Sequence, residues 1–149
     1  MGAVTYPNAG VQEFVASSFV TVMSTLGEDP ELWSRYNANW TPTILVLDSQ
    51  GNEKHRIVGY LEPDYFLGQI RLGAGKYLME AEKFEESIQM LADVAKYHPE
   101  TEAAPEAAYY ESVARYKRTR DPQHLKAGLN RLREKYPGST WNMKASAWA

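Results

Sequence analysis

The run Thr43-Ile44-Leu45-Val46-Leu47 lies between Thr41-Pro42 and the turn-forming stretch Asp48-Ser49-Gln50-Gly51-Asn52. Four consecutive aliphatic residues leave no polar face for water, so the run predicts a central strand covered on both faces. Pro42 lacks an amide hydrogen and interrupts any ladder arriving from upstream. Gly51-Asn52 predicts a hairpin loop. Lys54 to Val58 predicts the return strand, with His55 and Ile57 alternating against Arg56 and Val58.

The flanks read in the same way. Pro7-Asn8 is a stop-and-cap signal ahead of Val11, Phe14, Val15 and Phe19, which fall at helical spacing. Phe19-Val20-Thr21-Val22-Met23 is short, β-branched and aromatic, and predicts a strand. Asp29-Pro30-Glu31 predicts a brief helix: a cap, a proline at the first helical position, and an acid at the positive end of the dipole. That helix carries Leu32, Trp33 and Tyr36 inward, and Asn37 can end it. Pro63-Asp64 starts another helix, with Tyr65, Phe66, Ile70 and Leu72 available for burial.

Composition changes near Gly73-Ala74-Gly75. Residues 1–75 hold four basic and eight acidic side chains, whereas residues 76–149 hold twelve and eleven. The second part lacks strand patterns and ends two helices at Tyr97-His98-Pro99 and Lys135-Tyr136-Pro137, a spacing that belongs to stacked helix hairpins. We therefore place two domains at 1–75 and 76–149. Gly75, Phe84, Ser87, Leu91 and Val94 upstream of Pro99 put small residues where helices approach and large ones where they interlock. These offsets resemble a tetratricopeptide repeat. The second unit carries Tyr109, Ala114 and Tyr116, then Leu125, Leu129, Leu132 and Pro137. Its loop, Arg118 to Pro122, reads as carrying extra residues, and Ser139 to Ala149 starts a third helix.

The chain has no cysteine, so it holds neither a thiolate nucleophile nor a disulfide. A net charge of −3 argues against a nucleic-acid partner bound through bulk positive charge. No apolar run reaches the roughly 18 to 20 residues that cross a bilayer, and Met1-Gly2-Ala3-Val4 lacks the blocks of a signal peptide. A cytoplasmic location without membrane contact is the resulting expectation.

The order strand, short helix, strand led by Thr-Pro, hairpin, strand, helix resembles the thioredoxin-like family over residues 1–75. Phe19–Met23, Asp29–Tyr36, Trp40–Asp48, Gly51, Gly59 and the helix from Pro63 carry the resemblance. It implies a cis proline at Pro42 and backbone hydrogen bonds from Thr41 to an extended peptide. The family's Cys-x-x-Cys segment would fall just upstream of Met1, ahead of Thr5-Tyr6-Pro7 and Val11-Gln12-Glu13-Phe14. Its central strand also lies upstream, and this chain should lack it. Neighbouring strands sit about 4.8 Å apart, so one missing strand leaves two open edges unless the sheet closes up or a second copy fills the slot.

The expected fold is therefore an incomplete thioredoxin-like α/β unit followed by all-α tetratricopeptide-like helix hairpins. Candidate peptide-binding residues are Trp40, Thr41 and Pro42 on the proline ridge, and Tyr109, Tyr110 and Tyr116 on the first helix of a repeat. Trp40 reads first as a core residue and second as an exposed contact. The tyrosines fit core packing between repeats as well as a peptide groove. His55, His98 and His124 lack companions at ligand spacing, so they read as surface or strand-face residues, and no metal or cofactor is expected. Asp48, Glu53, Glu62 and Asp64 sit at turns and a helix start for local reasons, not as an acid–base pair. Ser17-Ser18 has no histidine or glycine elbow to make a nucleophile. The stretch 117–135, with seven basic and two acidic side chains, reads as a solvated helix exterior, because Leu125, Leu129 and Leu132 define its buried side.

The functional expectation is a non-redox protein-interaction module for a protein or peptide partner, able to form a homodimer through open sheet edges. The alternative is a thiol–disulfide oxidoreductase whose Cys-x-x-Cys lies upstream of Met1. A blander reading makes the first unit a vestigial cap on a repeat array.

Overall fold

A computed structural model of the 149-residue chain describes every residue except Leu26. The chain divides into two compact units, Met1–Phe66 and Leu67–Ala149.

In the first unit, α1 spans Ala9–Ser18, and its Asn8 cap accepts a hydrogen bond from the Val11 amide at 3.2 Å. The apolar spacing works as expected, burying Val11 and Phe14. Helix α2 spans Pro30–Arg35, with Asp29 accepting from the Leu32 amide at 3.0 Å. Strands β1 (Thr43–Leu47) and β2 (Glu53–Val58) form an antiparallel pair, Ile44 opposite Ile57, with a bulge between Val46 and Leu47.

The loop joining the strands is fastened from both sides. The Asp48 carboxylate accepts from the amides of Gln50 and Asn52 at 2.9 and 2.8 Å and from the Asn52 side chain at 3.0 Å. The Tyr36 hydroxyl donates to the Gly51 carbonyl at 2.8 Å, and Arg56 donates back to the Tyr36 carbonyl. Gly51 has φ +80°, and a Cβ there would sit 3.1 Å from the Tyr36 hydroxyl, so both conformation and space favour glycine. Near the amino terminus, Thr5 is fully buried and donates its hydroxyl to the Leu61 carbonyl.

Two expectations fail in this unit. Residues 19–23 form no strand: Phe19 is the extended cap that closes α1, and Val20, Val22 and Met23 beyond it are exposed at 98%, 85% and 88%. A strand needs a neighbour for its amides and carbonyls, and β-propensity alone supplies none. Strand β1 is also not covered on both faces. Among the described residues it pairs only with β2, and of its side chains only Val46 is buried.

Helix α3 spans Pro63–Glu80 without a break at Gly73-Ala74-Gly75. In the second unit it is followed by α4 (Phe84–Tyr97), α5 (Ala103–Thr119), α6 (Gln123–Lys135), α7 (Thr140–Ala145) and a single 3-10 turn at Ser146–Trp148. Small residues set the close approaches. The Ser87 hydroxyl donates to the Gly75 carbonyl at 2.8 Å, and a Cβ on Gly75 would lie 2.6 Å from Leu91. Leu72, Leu91, Val94, Ala103 and Ala107 make one core cluster. Ala108, Leu129, Leu132 and Ala145 make another.

The loop after α5 carries no extra residues. Helix α5 runs through Thr119, and three residues connect it to α6, the first being its cap Arg120 at φ 61°. His98, expected on the surface, is 5% exposed: it caps α4, and its carbonyl accepts the Thr101 hydroxyl at 2.7 Å. Among the described residues, no helix is long and apolar enough to cross a membrane.

Candidate functional site

Residues 40 to 42 sit where α2 hands over to β1. The Thr41–Pro42 peptide bond is cis. The Pro42 carbonyl accepts from the Gly59 amide at 2.8 Å, and the Thr43 hydroxyl donates to the Trp40 carbonyl at 2.7 Å. In an antiparallel ladder, hydrogen-bonded and non-bonded positions alternate. With Pro42 bonded to Gly59, the next bonded positions are Ile44 and Val46. The main-chain groups of Thr43 and Leu45 therefore point away from β2, along the outer edge of β1. That edge begins beside Thr41.

Trp40 is not a core residue. It is 67% exposed, three residues beyond the turn at Tyr36–Asn37 that follows the short helix. Asn37, at φ 50°, ends that helix, and the Ala38 amide returns to the Trp33 carbonyl at 2.9 Å. Trp33, Asn39, Trp40 and Thr41 line a cleft of about 190 Å³. The Trp33 indole donates to the Ser24 hydroxyl at 3.0 Å, which fixes one wall. Sequence pattern alone misses Trp33 and Asn39 as site residues; helical spacing assigns Trp33 inward, and its half-buried position serves both purposes.

The tyrosines belong to the second unit and form a separate group. Tyr109 stacks on Trp148 at 4.4 Å and contacts Trp141 at 5.1 Å, while Tyr110 meets Trp141 at 5.4 Å. Burial pushes the Tyr109 phenol above its ordinary value, with the neighbouring Tyr110 adding to the shift. The surface these rings offer is thus occupied by α7 and the final turn of the same chain. Lys144 lies 3.8 Å from the Trp141 ring centre and Lys76 lies 5.0 Å from that of Tyr110. Tyr116 is half-buried and outside this aromatic group. Among the described residues, no three His, Asp or Glu side chains gather as a metal would require.

The first unit is an α/β scaffold whose proline-led strand exposes one edge next to an aromatic side chain. A family model described as a thioredoxin-like domain matches residues 7–74. The rest of the chain is a helical tail. Comparison with curated proteins and with solved structures finds no match.

Proposed function

We propose that this chain is a protein-interaction module that works without thiol chemistry, taking an extended peptide along the outer edge of β1. The observation that carries this reading is the combination of that open edge with an exposed Trp40 in a chain lacking cysteine. A peptide added there gains main-chain hydrogen bonds from Thr43 and Leu45, and Trp40 with its cleft supplies a side-chain contact. The helices from α3 onward act as tetratricopeptide-like hairpins, a reading supported by the glycine contacts between them and by the turns at Pro99 and Pro137. Without a peptide, the same edge can pair with a second copy of the chain. No nucleic-acid or membrane partner enters this reading.

A random peptide display panned on the full chain, followed by hydrogen exchange, tests the proposal. Binding should slow exchange at the Leu45 amide, and Trp40→Ala should weaken binding at least about tenfold, as loss of an aromatic anchor does. Selected peptides that protect no β1 amide would refute the proposed mode. Light scattering showing a strict monomer at high concentration would remove the self-pairing.

A second reading, a thiol–disulfide oxidoreductase with its cysteine pair on residues outside this sequence, is favoured by the match to the thioredoxin-like family. The DNA upstream of the Met1 codon separates the two: an in-frame Cys-x-x-Cys followed by a strand pattern supports the oxidoreductase. The chain as given should reduce insulin no faster than dithiothreitol alone, and a clear rate above that background would end the non-redox claim.

A further inference from the structure

A second cleft, of about 340 Å³, opens between α5 and α6 in the helical unit, and neither the β1 edge nor the aromatic group accounts for it. Glu111, 2% exposed, is part of its lining. A buried carboxylate is costly unless paired, and two guanidinium groups converge on this one. Arg115 donates its Nε to Glu111 Oε1 at 2.6 Å, and Arg131 donates Nη2 to the other oxygen. The same Nη2 also reaches the Ala108 carbonyl at 3.1 Å and the Ser112 hydroxyl at 3.2 Å.

One carboxylate between two guanidinium groups leaves a surplus positive charge, and His124 lines the same cleft. Arg131 Nε is buried with no hydrogen-bond partner, which a folded protein rarely tolerates without a reason. Among the described residues, the terminal amino groups of Arg115 make no hydrogen bond, and its side chain is 39% exposed at the mouth. We propose that this cleft binds a phosphate group carried by a small phosphomonoester. Glu111 holds the two guanidinium groups in place before any ligand arrives. A tetrahedral dianion can then accept from Arg115, Arg131 and His124, which lie on two helices, whereas a planar carboxylate suits a single arginine fork. The volume exceeds that of free phosphate and lies at the lower end of small-molecule sites.

The test tracks the histidine ring resonances of the full chain by NMR during titration with glycerol 2-phosphate, inorganic phosphate or acetate at constant ionic strength. Saturable shifts are expected at His124 and not at His55 or His98, with glycerol 2-phosphate binding tightest and acetate weakest. Arg115→Gln should weaken binding at least about tenfold through loss of a charge-assisted contact. Ala127→Glu, an exposed substitution at the lining, should abolish the shift while leaving the far-ultraviolet circular dichroism unchanged. Equal shifts at all three histidines, or none at His124, would overturn the site. Insensitivity to both substitutions would overturn it as well. Inorganic phosphate binding as tightly as glycerol 2-phosphate would overturn the phosphomonoester assignment, and tighter binding of acetate would overturn phosphate altogether.

Discussion

Replacing Gly128 by Ala tests the close approach of α5 and α6 on which the second cleft depends. In an isolated helix the change should stabilise by about 1 kcal/mol, because glycine is a poor helix former. Here the new methyl group would lie 2.2 Å from the Ser112 hydroxyl oxygen and 2.6 Å from its Cβ. Rotating the hydroxyl relieves the first clash but not the second, since the Cβ moves only with the backbone. Comfortable carbon–carbon contact is about 3.5 to 4.0 Å, so the helices must separate by roughly 1 Å. Overpacking of this kind costs about 1–3 kcal/mol, and disturbing the Ser112 bond to the Ala108 carbonyl, 2.9 Å long, adds about 1 kcal/mol. The net expectation is a loss of roughly 1–3 kcal/mol. Urea unfolding monitored at 222 nm should show a midpoint lower by about 1 M, given an m-value of about 1–2 kcal/mol/M. Ser112→Gly removes the obstructing atom, so the double variant should recover at least about 1 kcal/mol of the expected sum. If Gly128→Ala instead raises the midpoint, or the two changes simply add, α5 and α6 do not approach this closely.

Other substitutions probe the remaining contacts. Trp148→Ala removes the ring stacked on Tyr109 and should destabilise the helical unit by about 2 kcal/mol, less than for a fully buried tryptophan, as measured by thermal unfolding. Ser139 accepts from the Asn142 amide at 3.1 Å as the cap of α7, so Ser139→Ala should cost about 1 kcal/mol and weaken the near-ultraviolet aromatic signal. The Asp48 carboxyl is held below its usual range, chiefly by the hydrogen bond from the Asn52 side chain. Its stabilising effect is therefore complete above the ordinary aspartate pKa of about 3.9 and is lost as pH falls through the lowered folded-state value. Asp48→Ala should flatten the acid limb of a stability-versus-pH profile, and an unchanged limb would assign the acid sensitivity elsewhere. Trp40→Ala should leave stability within about 0.5 kcal/mol, because its indole is largely in solvent; a larger loss would return this residue to the core.

Local chemistry made several elements legible from residues alone. Asn8, Asp29 and Ser139 cap helices through their own side chains, Gly51 turns the hairpin, and Asp48 fastens it; each is decided within a few residues of chain. The same holds for β1 and β2 and for the ends of α4 and α6, where the punctuating signals are strong. What a local pattern cannot supply is a neighbour. Phe19–Met23 has the composition of a strand yet is unpaired among the described residues, and Thr43–Leu47 has the composition of a strand covered on both faces yet buries only Val46. Pairing is made at long range, and hydrophobicity alone does not say which segment provides it.

The same division runs through the candidate sites. The sequence alone marked Trp40-Thr41-Pro42 as a place of interest and excluded sulfur chemistry within these residues. Only the tertiary structure turned Trp40 outward, joined Trp33 and Asn39 to it, and covered Tyr109 with Trp141 and Trp148. Glu111, Arg115 and Arg131 read along the chain as ordinary helix charges. They become one ionic group around a buried carboxylate because α5 and α6 pack closely at Gly128 and Ser112, covering Glu111 while both guanidinium side chains stay partly exposed. Burial is a property of what surrounds a residue, so it is set by the assembled helices and not by any one segment.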